Sequence, residues 1–170
     1  MTTTTANPVD PANPANPADP AALLADRLAV QDAVTRMSWL LDRRDWDALR
    51  EVFAEELVLD YTQPFGGEPE TLGGAELVER WRAQVGHLDS TQHVTTGVLV
   101  ELDGDRARAT ANVLAHLRRE GTLGSPVWHN GGHYDVRLRR SGTGWRITAL
   151  TASVSWAEGN SAVLQAPAAG

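Results

Sequence analysis

Apolar positions recur every three to four residues in the first half of the chain and every second residue in the second half. In "PAALLADRLAVQDAVTRMSWLLDRRD", Leu24, Leu28, Ala33, Met37, Leu40 and Leu41 fall at helical spacing behind Asp19 and Pro20, a helix-start signal. "DWDALREVFAE" predicts a second, short helix capped by Asp45, with Trp46, Leu49, Val52 and Phe53 on its apolar side. "LVLDYTQPF" reads as a short strand ending in a turn at Gly66 and Gly67, and "GGAELVERWRAQV" as a third helix with Leu77, Val78 and Trp81 inward. "GGEPETLGG" carries no dinucleotide or phosphate fingerprint and reads as loop.

The period then changes. "TQHVTTGVLVEL", "RARATANVLAHLRRE", "GHYDVRLRR" and "GWRITALTASVSWAEG" are strands, separated by Asp-Gly-Asp, Gly-rich and Ser-Gly-Thr-Gly turns. Three helices followed by antiparallel strands predict an α+β domain. A curved sheet folded over those helices would enclose a pocket, although period alone does not separate a cone from a flat sheet. Residues 1–20, with Pro8, Pro11, Pro14, Pro17 and Pro20 in a three-residue rhythm, read as a disordered tail. One domain then covers residues 21–157, and 158–170 form an irregular end in which Val163 and Leu164 could cover a groove or a subunit contact.

Composition narrows the chemistry. The chain has 170 residues, no cysteine, and arginine as the source of all 15 of its basic side chains. Disulfides, a thiol nucleophile, Cys-based zinc sites, Schiff-base lysine and P-loop lysine are therefore excluded. The net charge of -7 argues against bulk nucleic-acid binding, and no local arginine patch is expected from the linear sequence. No apolar run approaches the roughly 18 residues that span a bilayer, and the first residues lack a signal-peptide pattern, so a cytoplasmic protein without a membrane partner is expected.

Several polar residues interrupt apolar patterns. Asp42 ends the first helical segment, one turn beyond Ser38 and Trp39, where an acid gains nothing from the helix dipole. His93 shares a strand face with Thr95, Gly97 and Leu99, where small neighbours leave room beside the imidazole. His116 shares a face with Asn112, Leu114 and Arg118. Tyr61 follows Asp60 at a strand end, as a core aromatic or a proton donor to a ligand oxygen. His129 and His133 have the spacing of a helical metal pair, but Gly131 and Gly132 between them argue against a helix, and no metal site is expected. Among the six tryptophans, Trp39 and Trp128 are candidates to wall a cavity, with Met37, Asn112, Leu114 and His133 as further pocket candidates.

"LLADRLAVQDAVTRMSWLLDRRDWDALREVFAEELVLDY", "TQHV", "GDRARATANVLAHL" and "GGHYDVRLRRSGTGWRI", in that order, resemble the SnoaL-like branch of the NTF2-like superfamily over residues 21–157. The resemblance implies a cone, a strongly curved mixed sheet wrapped around helices with an interior pocket. Within the superfamily it is most similar to scytalone dehydratase and to related dehydratases and dehydrochlorinases that use an Asp–His dyad. By position the dyad carries over to Asp42 and His93, a second histidine to His116 and an active-site tyrosine to Tyr61. Leu41 stands where the dehydratase has a tyrosine, and Met37 where the dehydrochlorinase has a lysine.

The resemblance thus implies a cofactor-free dehydratase, with His93 as general base oriented by Asp42 and a small hydrophobic cyclic hydroxy-carbonyl substrate. An isomerase or cyclase of polyketide-like or steroid-like substrates is the alternative, and a non-catalytic small-molecule binding protein is a third. It also implies a homo-oligomer, a dimer first and a trimer second.

Overall fold

A computed structural model describes residues 19–142 and 144–165. The proline-punctuated segment expected to be a disordered tail lies almost entirely outside the described residues. Helix α1 (Pro20–Arg43) begins where Asp19 accepts a hydrogen bond from the Ala21 amide and Pro20 opens the first turn. It ends at Arg44, whose left-handed backbone (φ 57°) turns its amide back onto the Leu40 and Leu41 carbonyls. Val30, Ala33, Val34, Met37, Leu40 and Leu41 are buried along it, whereas Leu24 and Leu28, expected inward, are exposed on its first turns.

Helix α2 (Trp46–Arg50) is shorter than expected, because Phe53 opens strand β1 (Phe53–Asp60) instead of extending the helix. Phe53 pairs in parallel with Ile147, and the Ile147 amide donates to the Val52 carbonyl, so sheet pairing overrides local helix preference there. A single turn, α3 (Thr62–Phe65), follows, and then β2 (Glu70–Gly73), an edge strand within the segment read as loop. Helix α4 (Gly74–Val85) buries Leu77, Val78 and Trp81 as expected.

Four long strands complete the chain: β3 (Ser90–Asp103), β4 (Arg106–Arg118), β5 (Val127–Ser141) and β6 (Gly144–Gly159), followed by a 3-10 turn at Ser161–Leu164. The sheet order is β2-β1-β6-β5-β4-β3, antiparallel except for the parallel β1–β6 pair. This is the expected α+β architecture, with a mixed sheet curved over the helices.

Two glycines allow the curvature. A Cβ on Gly132 would lie 1.9 Å from the Ser153 carbonyl oxygen, so only glycine lets β5 approach β6 at that bulge. Gly97, at φ 62°, sits in the β3 bulge between Thr96 and Leu99. The bulge shifts the alternation, so Val98 and Val100 continue the inner face while Leu99, expected beside His93, is 70% exposed. The main core lies between the inner face of the sheet and helices α1 and α4. A smaller cluster of Leu88, Leu117 and Val163 packs the 3-10 turn against β4.

Candidate active site

Strand alternation decides which side chains enter the cone. On β4 the inward row is Ala107, Ala109, Ala111, Val113, Ala115 and Leu117, all buried. These mostly small side chains leave space between the sheet and the end of α1. His93 lies opposite Ala115 and so faces the same way. A cavity of about 250 Å³ results, walled by Met37, Leu41, Trp81, Val113 and Trp128 among others, with Ser38, Tyr61, Gln84, His93, Asn130 and Tyr134 among its polar groups.

Asp42, in the last turn of α1, reaches His93 from the side of the wall away from this cavity. Its Oδ1 accepts hydrogen bonds from His93 Nδ1–H at 2.7 Å and Thr91 Oγ1 at 2.9 Å, and its Oδ2 accepts from the His93 backbone amide at 2.6 Å. Both side chains are largely shielded, with 11% and 16% of the histidine and aspartate side chains exposed. Burial pushes the Asp42 carboxyl up, but the hydrogen bonds and charge of His93, with Thr91, outweigh it and hold the group below the usual carboxylate range. A carboxylate that stays ionised fixes Nδ1 as the protonated nitrogen of neutral His93 and leaves Nε2 with a lone pair. Beside the pair, Ser38, the buried polar side chain of α1, shares a 2.7 Å hydrogen bond with Thr95.

Tyr61 and Tyr134 also line the cavity. Burial pushes the Tyr61 phenol well above its ordinary value, with Tyr134 adding to the effect. Burial and then the Asp42 charge push Tyr134 up to about 12. Both phenols therefore keep their protons at neutral pH and can donate to a ligand oxygen. Tyr134 was not singled out by the sequence reading. The signal lay in β5 alternation, which puts it opposite Ala111 and Ala152 on the inner face. Asn130, two pairs along on the same face, was missed for the same reason.

Not every sequence candidate reaches the cavity. His93, Tyr61, Met37 and Trp128 line it, and Asp42 holds His93 from the adjoining groove without lining the cavity itself. His116 does not line it: it pairs with Gln92 and His129 on the outer face, with its ring 5.4 Å from that of His129. Asn112 and Leu114 share that exposed face four and two residues away, and His133, opposite Asn112, is exposed there too. A period of two allows no other outcome once Ala115 and Val113 face inward. Trp39 is 62% exposed, on the side of α1 turned from the core. Among the described residues no cluster of three or more His, Asp or Glu side chains has metal-holding geometry, and no helix is long and apolar enough to cross a membrane.

Comparisons with known proteins agree with this architecture. The model of a family described as a SnoaL-like domain matches residues 22–151. An uncharacterized protein of Mycobacterium tuberculosis is 28% identical over 131 residues, 74% of this chain and 83% of its own length. A solved structure from Kribbella flavida superposes with a TM-score of 0.77 at 27% identity, covering 84% of this chain and 97% of its own. A scytalone dehydratase candidate from Novosphingobium aromaticivorans has a TM-score of 0.70 at 17% identity, with coverage of 81% and 89%. A type 2 hexachlorocyclohexane dehydrochlorinase also scores 0.70, at 18% identity, with coverage of 88% and 98%. The last two likenesses are of fold.

Proposed function

We propose that this chain, which belongs to the SnoaL-like domain family, is a cofactor-independent lyase that eliminates water from a small cyclic hydroxy-carbonyl compound. The observation that carries the reading is the Asp42–His93 contact of 2.7 Å at the wall of an apolar cavity. A ligand-binding protein has no need of an ionised carboxylate aimed at an imidazole, whereas a general base does.

In the reaction, His93 Nε2 removes a proton from the carbon next to the substrate carbonyl. Asp42 stabilises the imidazolium that forms without taking its proton. Negative charge developing on the carbonyl oxygen is met by the Tyr61 and Tyr134 hydroxyls. The electron pair then forms the new carbon–carbon double bond as the hydroxyl departs from the adjacent carbon. The imidazolium returns its proton to that hydroxyl, releasing water and restoring neutral His93. Apolar walls at Met37, Leu41, Trp81 and Trp128 suit a ring.

The test is incubation with a panel of cyclic hydroxy-ketones, read by mass spectrometry. Loss of one water, abolished in His93→Ala and strongly reduced in Asp42→Asn, is the expected result. Conversion at wild-type rates in both variants refutes the base assignment, and products of unchanged mass turn the reading to isomerisation or cyclisation.

A further inference from the structure

The wall containing His93 borders a second space. Ser38, His93 and Leu117 line both the apolar cavity and a larger groove of about 760 Å³, between the last turns of α1 and the adjoining ends of β3 and β4. To these shared residues the groove adds Trp39 and Arg43 from α1 and, from the outer face of β4, His116 and Arg118. Arg43 lies 5.8 Å from the centre of the Trp39 ring and is in no ion pair among the described residues. Arg118 is paired with Glu120, and both side chains are about half exposed, so solvent weakens their hold on each other. Asp42, the acidic side chain of the groove, already accepts three hydrogen bonds from Thr91 and His93.

The two spaces differ in what they can hold. A cavity of about 250 Å³ falls below the range of roughly 300–1,000 Å³ that encloses drug-sized ligands, so a ring system fills it and a longer molecule must extend outside. No arginine lines the cavity. The groove runs from the dyad around the edge strand β3, with the Trp39 indole and Arg43 guanidinium on the α1 side and the Arg118 guanidinium at the outer face of β4. An aromatic wall suits a short apolar linker, and arginine forks suit the oxygens of an acid.

We infer that the groove binds an acid group, carboxylate or phosphate, carried on a short linker from the ring that occupies the cavity. The substrate is then an anionic ring compound rather than the wholly uncharged one that the apolar walls alone suggest. The inference rests on the proposed placement of a ring beside His93, but its test reads binding and not turnover. An inactive lyase would leave the binding result standing, and an active one would not rescue a groove that ignores charge.

The experiment compares (2-naphthyloxy)acetate and 4-(2-naphthyloxy)butanoate with their methyl esters, and with 2-(2-naphthyloxy)ethyl phosphate. Binding is measured by titration calorimetry. At least one acid should bind about tenfold tighter than its neutral ester, as expected for a charge-assisted contact. The Arg43→Gln, Arg118→Gln double variant should erase that advantage while leaving ester affinity within about twofold, and Arg43→Glu should reverse it. The better of carboxylate and phosphate identifies the acid. Equal affinity of every acid and ester, an advantage that survives the double variant, or no binding by any probe overturns the inference.

Discussion

His93 and His116 lie on adjacent strands of one sheet, yet they occupy opposite faces, because His93 pairs with Ala115 and Gln92 pairs with His116. Inside, the imidazole meets a carboxylate, a tyrosine-lined cavity and little water. Outside, the second imidazole stands among Asn112, Leu114, Arg118 and His129. Residue type is the same in both places, and a one-residue difference in facing assigns one ring to the site and the other to the surface.

The largest test of that contrast is kinetic. His93→Ala should lower kcat by about 10²–10⁴-fold, the usual contribution of a general base, while His116→Ala stays within about twofold in the same assay. Comparable losses would break the comparison. The next is thermodynamic and concerns the bend that brings the inner face around the cavity. Gly132→Ala should cost about 3 kcal/mol in urea unfolding, near the upper end of overpacking penalties, because its Cβ meets the Ser153 carbonyl. Gly144→Ala, with open space around its Cβ, should change the midpoint little.

Neighbouring residues on β5 provide a third pair. Tyr134→Phe removes an inward donor and should lower kcat by about a hundredfold, whereas His133→Ala should be near neutral. The smallest effects come from acid titration. The Asp42 carboxyl is depressed in the folded protein, so its stabilisation is full above the unfolded value near 4 and is lost as pH falls through the lower folded value. Unfolding midpoints measured between neutral and strongly acidic pH should fall less in Asp42→Asn than in wild type. The outer-face carboxylate Asp135, held down first by its hydrogen bonds to Arg108, follows the same sign. Its more exposed pair should contribute only about 0–1 kcal/mol, so Asp135→Asn should flatten the acid limb less.

Element types and their order were legible because long segments kept one period: α1, α4 and the four long strands follow directly from apolar spacing. Where pairing partners decided the outcome, local pattern failed. Phe53 joined a strand because Ile147 lies beside it, and Glu70–Gly73 became an edge strand because β1 offered a partner. For the site, Asp42 and His93 could be named from their positions, but His116 could not be assigned a side by residue type. Its face also carries Arg106, Arg108 and Arg118, and that run of charges marks the solvent side. The alternate row of alanines marks the pocket side, and reading it would also have led across to Tyr134. The arginines Arg106 and Arg139, and Arg108 and Arg137, become cross-strand neighbours only through sheet register, so the linear chain gave no sign of that cluster.

The parallel pairing of β1 with β6 sets the order in which the protein can be made. Residues 53–60 emerge from the ribosome long before residues 144–159, yet they have no other partner on that edge than the last strand of the sheet. Until β6 arrives, a nascent chain already holding α1 and β3, and hence both members of the dyad, exposes unpaired edges on β1 and β5 together. Closure over such a sequence distance is slow compared with hairpin formation. Synthesis stalled before β6 would therefore yield a chain with its chemistry present, its cone unclosed, and two sticky edges offered to its neighbours.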